Sequence, residues 1–377
     1  MKEERKRILK MVEDGKLSVN EALFLLEQLE KTTESMEEKQ EEIKKELSAV
    51  VQEEESSSRA EKKKEEGFGE TFRSIQDKVF DFVDTTFKKI KDLDLDLNFG
   101  HAVEIEHIFQ QNDTYINKID IDIANGSVRL VPWDRRDVRI ECSVKVYRVE
   151  TEEEARRKLL EDAVFAIEGQ RLRFAVQQKW MKVTAELYVP REDYDSIRIR
   201  LFNGGIEGSS LSTRDFRAKT ANGKISFDNL QCRKLESETA NGHLKVYNSS
   251  IHNLEAETIN GAITVLGSFR YVDLQSFNGQ IDCRVENDDC ENIEAKSSTG
   301  RVELTVPAVA AAGTLKSNLG NFKVNFENVR VVEDKSDMIQ KTMRFEPADD
   351  APASLRICAE SKTGAITLNR NEGKEAN

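Results

Sequence analysis

The chain is poor in the residues that most often carry chemistry. Across 377 residues it has four histidines, five cysteines, five prolines and two tryptophans. An odd, scattered set of cysteines with no CxxC pair offers neither a disulfide framework nor a zinc knuckle. His101, His107, His243 and His252 fall in no HExxH or other ligand spacing, so catalytic and metal-binding residues are both expected to be none. Gly67-Phe68-Gly69 lacks the third glycine and the preceding strand of a dinucleotide loop, and no cofactor is expected. Asp92, Asp94 and Asp96 alternate with leucines, but Leu97 stands where an EF-hand loop requires glycine. That run reads instead as a strand with a solvated acidic face.

Long apolar runs are missing as well. No stretch approaches the roughly 20 apolar residues that span a bilayer. The opening MKEERKRILKMVEDGK has a basic start without the apolar run of a secretion signal. The expected compartment is the cytoplasm, with membrane association and surface exposure left open. A formal net charge of −13, with lysine and arginine interleaved among the acids, argues against a nucleic-acid partner.

What is present divides the chain. Residues 1–31 read as a helical hairpin: Ile8, Leu9, Met11 and Val12 form one stripe that ends near Gly15. Ser18 and Glu21 then make a capping box ahead of Val19, Ala22, Leu23, Leu25, Leu26 and Leu29. Thirty residues bury little core alone, so the hairpin is expected to dock on a copy of itself or on a protein partner. Residues 32–66 are a charged linker, helical or disordered, without the a/d seam of a coiled coil. Within 67–92, Phe68, Phe72, Ile75, Val79, Phe82, Val83, Phe87 and Ile90 recur at spacings of three and four, giving an amphipathic helix. That helix either caps the β-domain or meets a membrane surface or partner.

From residue 100 to about 370 the period is two, which makes the chain mainly β. Ile119, Ile121 and Ile123 alternate with polar residues, as do Val138, Ile140, Cys142, Val144 and Val146. A helical insert near 151–165 opens on a second capping box, Thr151 and Glu154. Beyond residue 200 the sequence repeats itself. Asn222-Gly223, Asn241-Gly242, Asn260-Gly261 and Asn278-Gly279 are separated by 19, 19 and 18 residues. Gly300, Gly320 and Gly364 continue the series, while Gly204 and Gly126 look like earlier copies. From Gly223 to Gly364 each glycine of the series follows a Ser or Thr by three positions and precedes apolar residues by two and four. The bend is expected to need positive φ, which suits glycine and is tolerated by asparagine. This pattern predicts a β-solenoid of about 19-residue coils, with residues 325–355 as an excursion around Pro347 and Pro352. A meander of antiparallel hairpins satisfies the same positions, because Asn-Gly is also a strong hairpin signal.

The sequence MVEDGKLSVNEALFLLEQLE, a charged spacer and the TANGKISF, TANGHLKV and TINGAITV repeats together resemble the YvlB/LiaX family of Gram-positive bacteria. The match is most specific over Glu13–Leu29 and in those repeat copies, and the helical pair looks SHOCT-like. The repeat half alone is similar to adhesin-type β-repeat domains. The resemblance implies a non-enzymatic role in the cell-envelope stress response. Family members are linked to regulators that respond to membrane-active antimicrobial peptides. The implied partners are envelope-stress regulators, with an adhesin-like or cationic-peptide-binding module as the alternative.

Overall fold

The structure is a computed structural model that describes residues 101–326, 329–336, 340–349 and 351–371. The helical hairpin, the charged linker, the Asp92–Asp96 run and the helix expected from Phe68, Phe72, Ile75, Val79, Phe82, Val83, Phe87 and Ile90 all lie outside the described residues. The described residues belong to one compact unit, Asn98–Asn377.

This unit is mainly β and solenoid-like. Each coil runs through a short strand, a corner, a longer strand and a second corner. Coils stack as parallel strands in register: Ile225 pairs with Leu244, Leu244 with Ile263 and Ile263 with Ile281. The long strands do the same, Phe216 with Leu235, Leu235 with Leu254 and Leu254 with Val272. Parallel pairing excludes the hairpin meander for these coils. Their inward residues interleave into a continuous core in which Phe216, Phe227, Leu244, Val265 and Cys283 are buried. No single coil could bury its own stripe, so stability comes from stacking.

The two corners use different chemistry. Gly126 and Gly204 have φ of 134° and 138°, as expected for the Asn-Gly bend. From Gly223 onward the bend glycines do not have positive φ, which corrects that expectation. They are required by closeness instead: a Cβ on Gly242 would lie 1.9 Å from the Gly223 carbonyl oxygen. Left-handed backbone belongs to the opposite corner, at Ser210, Asn229 and Asn248, with φ of 54°, 51° and 50°.

The bend asparagines have their own task. Asn203 Nδ2 donates to Asn125 Oδ1 at 2.8 Å, Asn222 to Asn203 at 2.8 Å, and Asn241 to Asn222 at 2.9 Å. Asn260 and Asn278 extend this carboxamide ladder at 2.8 and 3.0 Å. One residue column inward, Thr220, Thr239 and Thr258 hydroxyls donate to the Gly204, Gly223 and Gly242 carbonyls of the preceding coil. Ser276, Ser297 and Ser361 continue that row. The buried hydroxyls are thereby satisfied.

Chain order and spatial order part company at both ends. Residues 118–133 sit between the coil of 171–190 and that of 193–209. At the other end, Leu355–Ser361 and Ile366–Arg370 lie between the coil of 292–306 and the coil of 311–325. Gly364 therefore stacks on Gly300, and Gly320 on Gly364, a correction to the simple series read from the sequence.

Antiparallel strands close both ends. Ala102–Gln111 pairs with Val138–Tyr147, which pairs with Met181–Pro190. The insert is α1, Glu152–Asp162, capped by Thr151, whose Oγ1 accepts from Glu154 N at 3.2 Å. At the far end the excursion is a hairpin, Val329–Ser336 with Lys341–Pro347, and the latter strand covers Ala311–Ser317. Gly313 leaves room there for Phe345, whose Cζ would lie 2.7 Å from a Cβ at that position. Phe345 is fully buried and fills the core slot that a side chain occupies in the other coils.

Candidate binding face

Inward positions build the core; outward positions of the same long strands build a face. Four residues before each bend glycine, the register aligns Asp122, Arg200, Lys219, Glu238, Glu257, Gln275 and Lys296. Six before it, Arg198, Arg217, Glu236, Glu255, Asp273 and Glu294 form a second column. Neighbouring rungs are about 4.8 Å apart. Arginines that are scattered among acids along the sequence thus become a basic half, and the following coils become an acidic half.

The halves meet at a knot of ion pairs. Lys219 Nζ lies 3.0 Å from Glu236 Oε1 and 2.6 Å from Glu238 Oε1, while Arg217 Nε lies 3.2 Å from Glu236 Oε2. Glu238 is 4% exposed, and its Oε2 has no hydrogen-bond partner. Burial pushes its carboxyl up to about 7, partly offset by Lys219 and reinforced by the neighbouring Glu236 and Glu257. Glu236 is also desolvated, but Lys219 and Arg217 outweigh burial and hold it well below the ordinary carboxylate range. Further along the basic half, Arg200 pairs with Asp122 at 2.8 Å; burial raises Asp122 despite that partner.

Such pairs add little to stability, roughly 0–1 kcal/mol each where exposed. Carboxylates on successive rungs repel one another. Lys234 stands between Glu255 at 3.1 Å and Glu236 at 3.9 Å and offsets that pair, whereas Glu238 beside Glu257 works against the fold. Beside the asparagine ladder, Phe202, Ile259 and Phe277 point outward and are half-buried, adding apolar contact to the charge.

The bend glycines predicted from sequence, Gly204, Gly223, Gly242, Gly261, Gly279, Gly300, Gly364 and Gly320, form one column at the edge of this face. They let neighbouring coils approach closely there. The inward positions of each repeat do not reveal the charged columns. The outward offsets of four and six carried the signal.

Conventional catalytic chemistry finds little here. No group of three or more His, Cys, Asp or Glu poised for a metal occurs among the described residues. Burial raises the Cys142, Cys232 and Cys290 thiols to about 12, which disfavours the nucleophilic thiolate. The hollow beside Pro132, Tyr194, Leu211 and Asn229 is open to solvent. No helix among the described residues is long and apolar enough to cross a membrane.

The profile of the Toastrack DUF4097 family matches residues 116–346, spanning the out-of-order coil of 118–133 and the charged columns. The chain belongs to the Toastrack family. A SHOCT-like domain profile also matches residues 3–34 of this Toastrack chain. It is 46% identical over 374 residues to the uncharacterized protein YvlB of Bacillus subtilis (strain 168), covering 98% of this chain and 99% of that one. The YvlB resemblance read from the helical pair and the repeats therefore holds across the chain. Among solved structures, a candidate adhesin from Bacteroides fragilis covers 70% of the Toastrack chain and 97% of its own, at 13% identity and a TM-score of 0.42. A candidate lipid-binding protein from Parabacteroides distasonis covers 71% and 97%, at 11% identity and a TM-score of 0.32. Likeness at that distance assigns no ligand to the Toastrack chain.

Proposed function

We propose that this Toastrack protein is a non-enzymatic scaffold of the cell-envelope stress response, working at the cytoplasmic side of the membrane. In this reading a β-solenoid of about 19-residue Asn-Gly coils holds a rigid charged face, and the SHOCT-like helical pair recruits a regulatory protein. The observation that carries it is the in-register face itself. Its stacked carboxylates, with one buried acid left half-partnered, are placed for recognition at some cost to stability.

The division of labour is tested by deleting residues 1–31. Partner capture from a membrane-stressed Gram-positive host should be lost, while the β-domain melts as in the full chain. Undiminished capture would overturn the assignment.

A second reading, a cationic-peptide-binding module, is favoured by the acidic half from Glu236 to Glu294 and its apolar flank. A basic amphipathic helical peptide should bind at low ionic strength and weaken about tenfold or more between 50 and 300 mM salt, because screening shortens the reach of exposed charges. Binding that ignores salt, or that survives a Glu255→Gln/Glu257→Gln double substitution unchanged, would remove this reading.

A further inference from the structure

The basic half of the face keeps charge that the fold does not neutralise. Arg200, Arg217 and Lys219 are held by Asp122, Glu236 and Glu238. One step further from the acidic half, the coils of 171–190, 118–133 and 193–209 set six outward positions side by side. Arg171, Lys118 and Ser196 share one row, and Arg173, Asp120 and Arg198 share the next. Their chain neighbours Leu172, Phe174, Ile119, Ile121 and Ile197 are buried, so strand alternation turns the six away from the core. Arg171, Arg173 and Arg198 are exposed, Lys118 is half-buried, and none of the four makes an ion pair among the described residues. Two acids accompany them, Asp120 within the second row and Glu168 opposite Arg171. We propose that this patch is a docking surface for the phosphates of an anionic lipid membrane. The inference deepens the placement at the cytoplasmic side of the membrane and rests on it.

Three observations carry the proposal. First, the cations oppose the fold: Arg171 and Lys118 stand on adjacent rungs about 4.8 Å apart, where like charges repel. In a chain of net charge −13, acids that could pair with them are abundant. The neighbouring rungs supply such acids and these rungs do not. Second, apolar side chains flank the charge. Val164, opposite Ala175 on the adjoining strand, is 44% exposed, and Tyr115, three residues before Lys118, is 64% exposed. Cations bordered by an exposed aromatic and an exposed aliphatic match the headgroup zone, where phosphates meet the charges and rings sit at the interface. A nucleic acid also offers phosphates, but it gives Val164 no apolar medium to enter. Third, the patch is a broad strip of sheet, roughly 10 Å across its three rungs, with its charges on one side of the strands. Such a layout meets a plane of phosphates at several points and cradles no single one.

The test uses the purified full chain, without a protein partner, and phosphatidylcholine vesicles with or without about 30% phosphatidylglycerol. Co-sedimentation at 50 mM salt should require the anionic lipid and should fall about tenfold or more by 300 mM. Arg171→Ser/Arg173→Ser should lower the partition coefficient about tenfold or more. Lys118→Ser/Arg198→Ser should do the same, and melting curves that match the parent establish that both variants fold. Arg171→Lys/Arg173→Lys should keep most of the binding, because a plane of phosphates asks for charge and not for a bidentate fork. Partition left unchanged by both serine double variants would overturn the patch, since any lipid contact would then lie elsewhere in the chain. A DNA duplex that binds more tightly than the vesicles, and is released by the same variants, would overturn the choice of a lipid surface. Lipid is read here without a partner, so a failure leaves the recruitment test on residues 1–31 undisturbed.

Discussion

Glu238 faces two opposed demands. It pairs with Lys219, yet its second oxygen is buried without a hydrogen bond and the carboxylate of Glu257 stands on the next rung. With a folded pKa near 7 and an ordinary unfolded value near 4.3, the folded state binds the extra proton between those limits. Stability therefore falls as pH rises through that window, and the penalty is complete above it. Glu238→Gln keeps the shape and removes the charge, while Lys219 retains Glu236 at 3.0 Å. The variant should gain on the order of 1 kcal/mol over the parent at pH 8, and the gain should vanish towards pH 4. Urea midpoints at the two pH values read this directly; an equal offset at both would show that the carboxyl does not titrate in that range.

At the scale of elements, the repeat is legible because its core positions keep a strict period. Thr220, Thr239 and Thr258, then Ile225, Leu244 and Ile263, announce the coil and its inward face. Three features were hidden. The reason for the bend glycines is one, since local φ and contact with the neighbouring coil both select glycine and leave the same mark in the sequence. The order of the last coils was hidden because an excursion of chain between Gly320 and Gly364 does not say on which side it returns. Gly313 stands where other coils carry a larger apolar side chain, and Phe345 from the closing hairpin takes its place. The binding face was half-legible: its residues sit at fixed offsets, but like signs on neighbouring strands lie a whole coil apart in the chain and meet only on stacking. The hairpin is open to direct test. Phe345→Ala empties a slot that Gly313 cannot fill and should cost about 3–5 kcal/mol. Hydrogen exchange should rise first in 311–347; exchange rising first in the coils around Gly223 would contradict the placement of that cap.

Over the whole molecule, stability and recognition are divided between the two sides of the same strands. Inward residues and the hydroxyl and carboxamide ladders hold coil to coil, while the outward columns add little and in places oppose the fold. Such a division lets the face change its charge pattern without disturbing the stacking. It also explains how a domain this regular can present a face that changes sign along its length. The inward pattern repeats from coil to coil, and the outward one does not have to.

Both ends of the stack are knotted into antiparallel caps by coils that sit out of chain order, whereas the coils from Gly204 to Gly300 follow one another simply. Duplication is therefore tolerable only in the middle. A copied unit inserted between residues 247 and 250 would push the caps apart by about 4.8 Å and lengthen the charged face by one rung. The same copy placed at either end would have to break a cap. The domain is a ruler whose scale can be extended at its centre and whose ends are fixed.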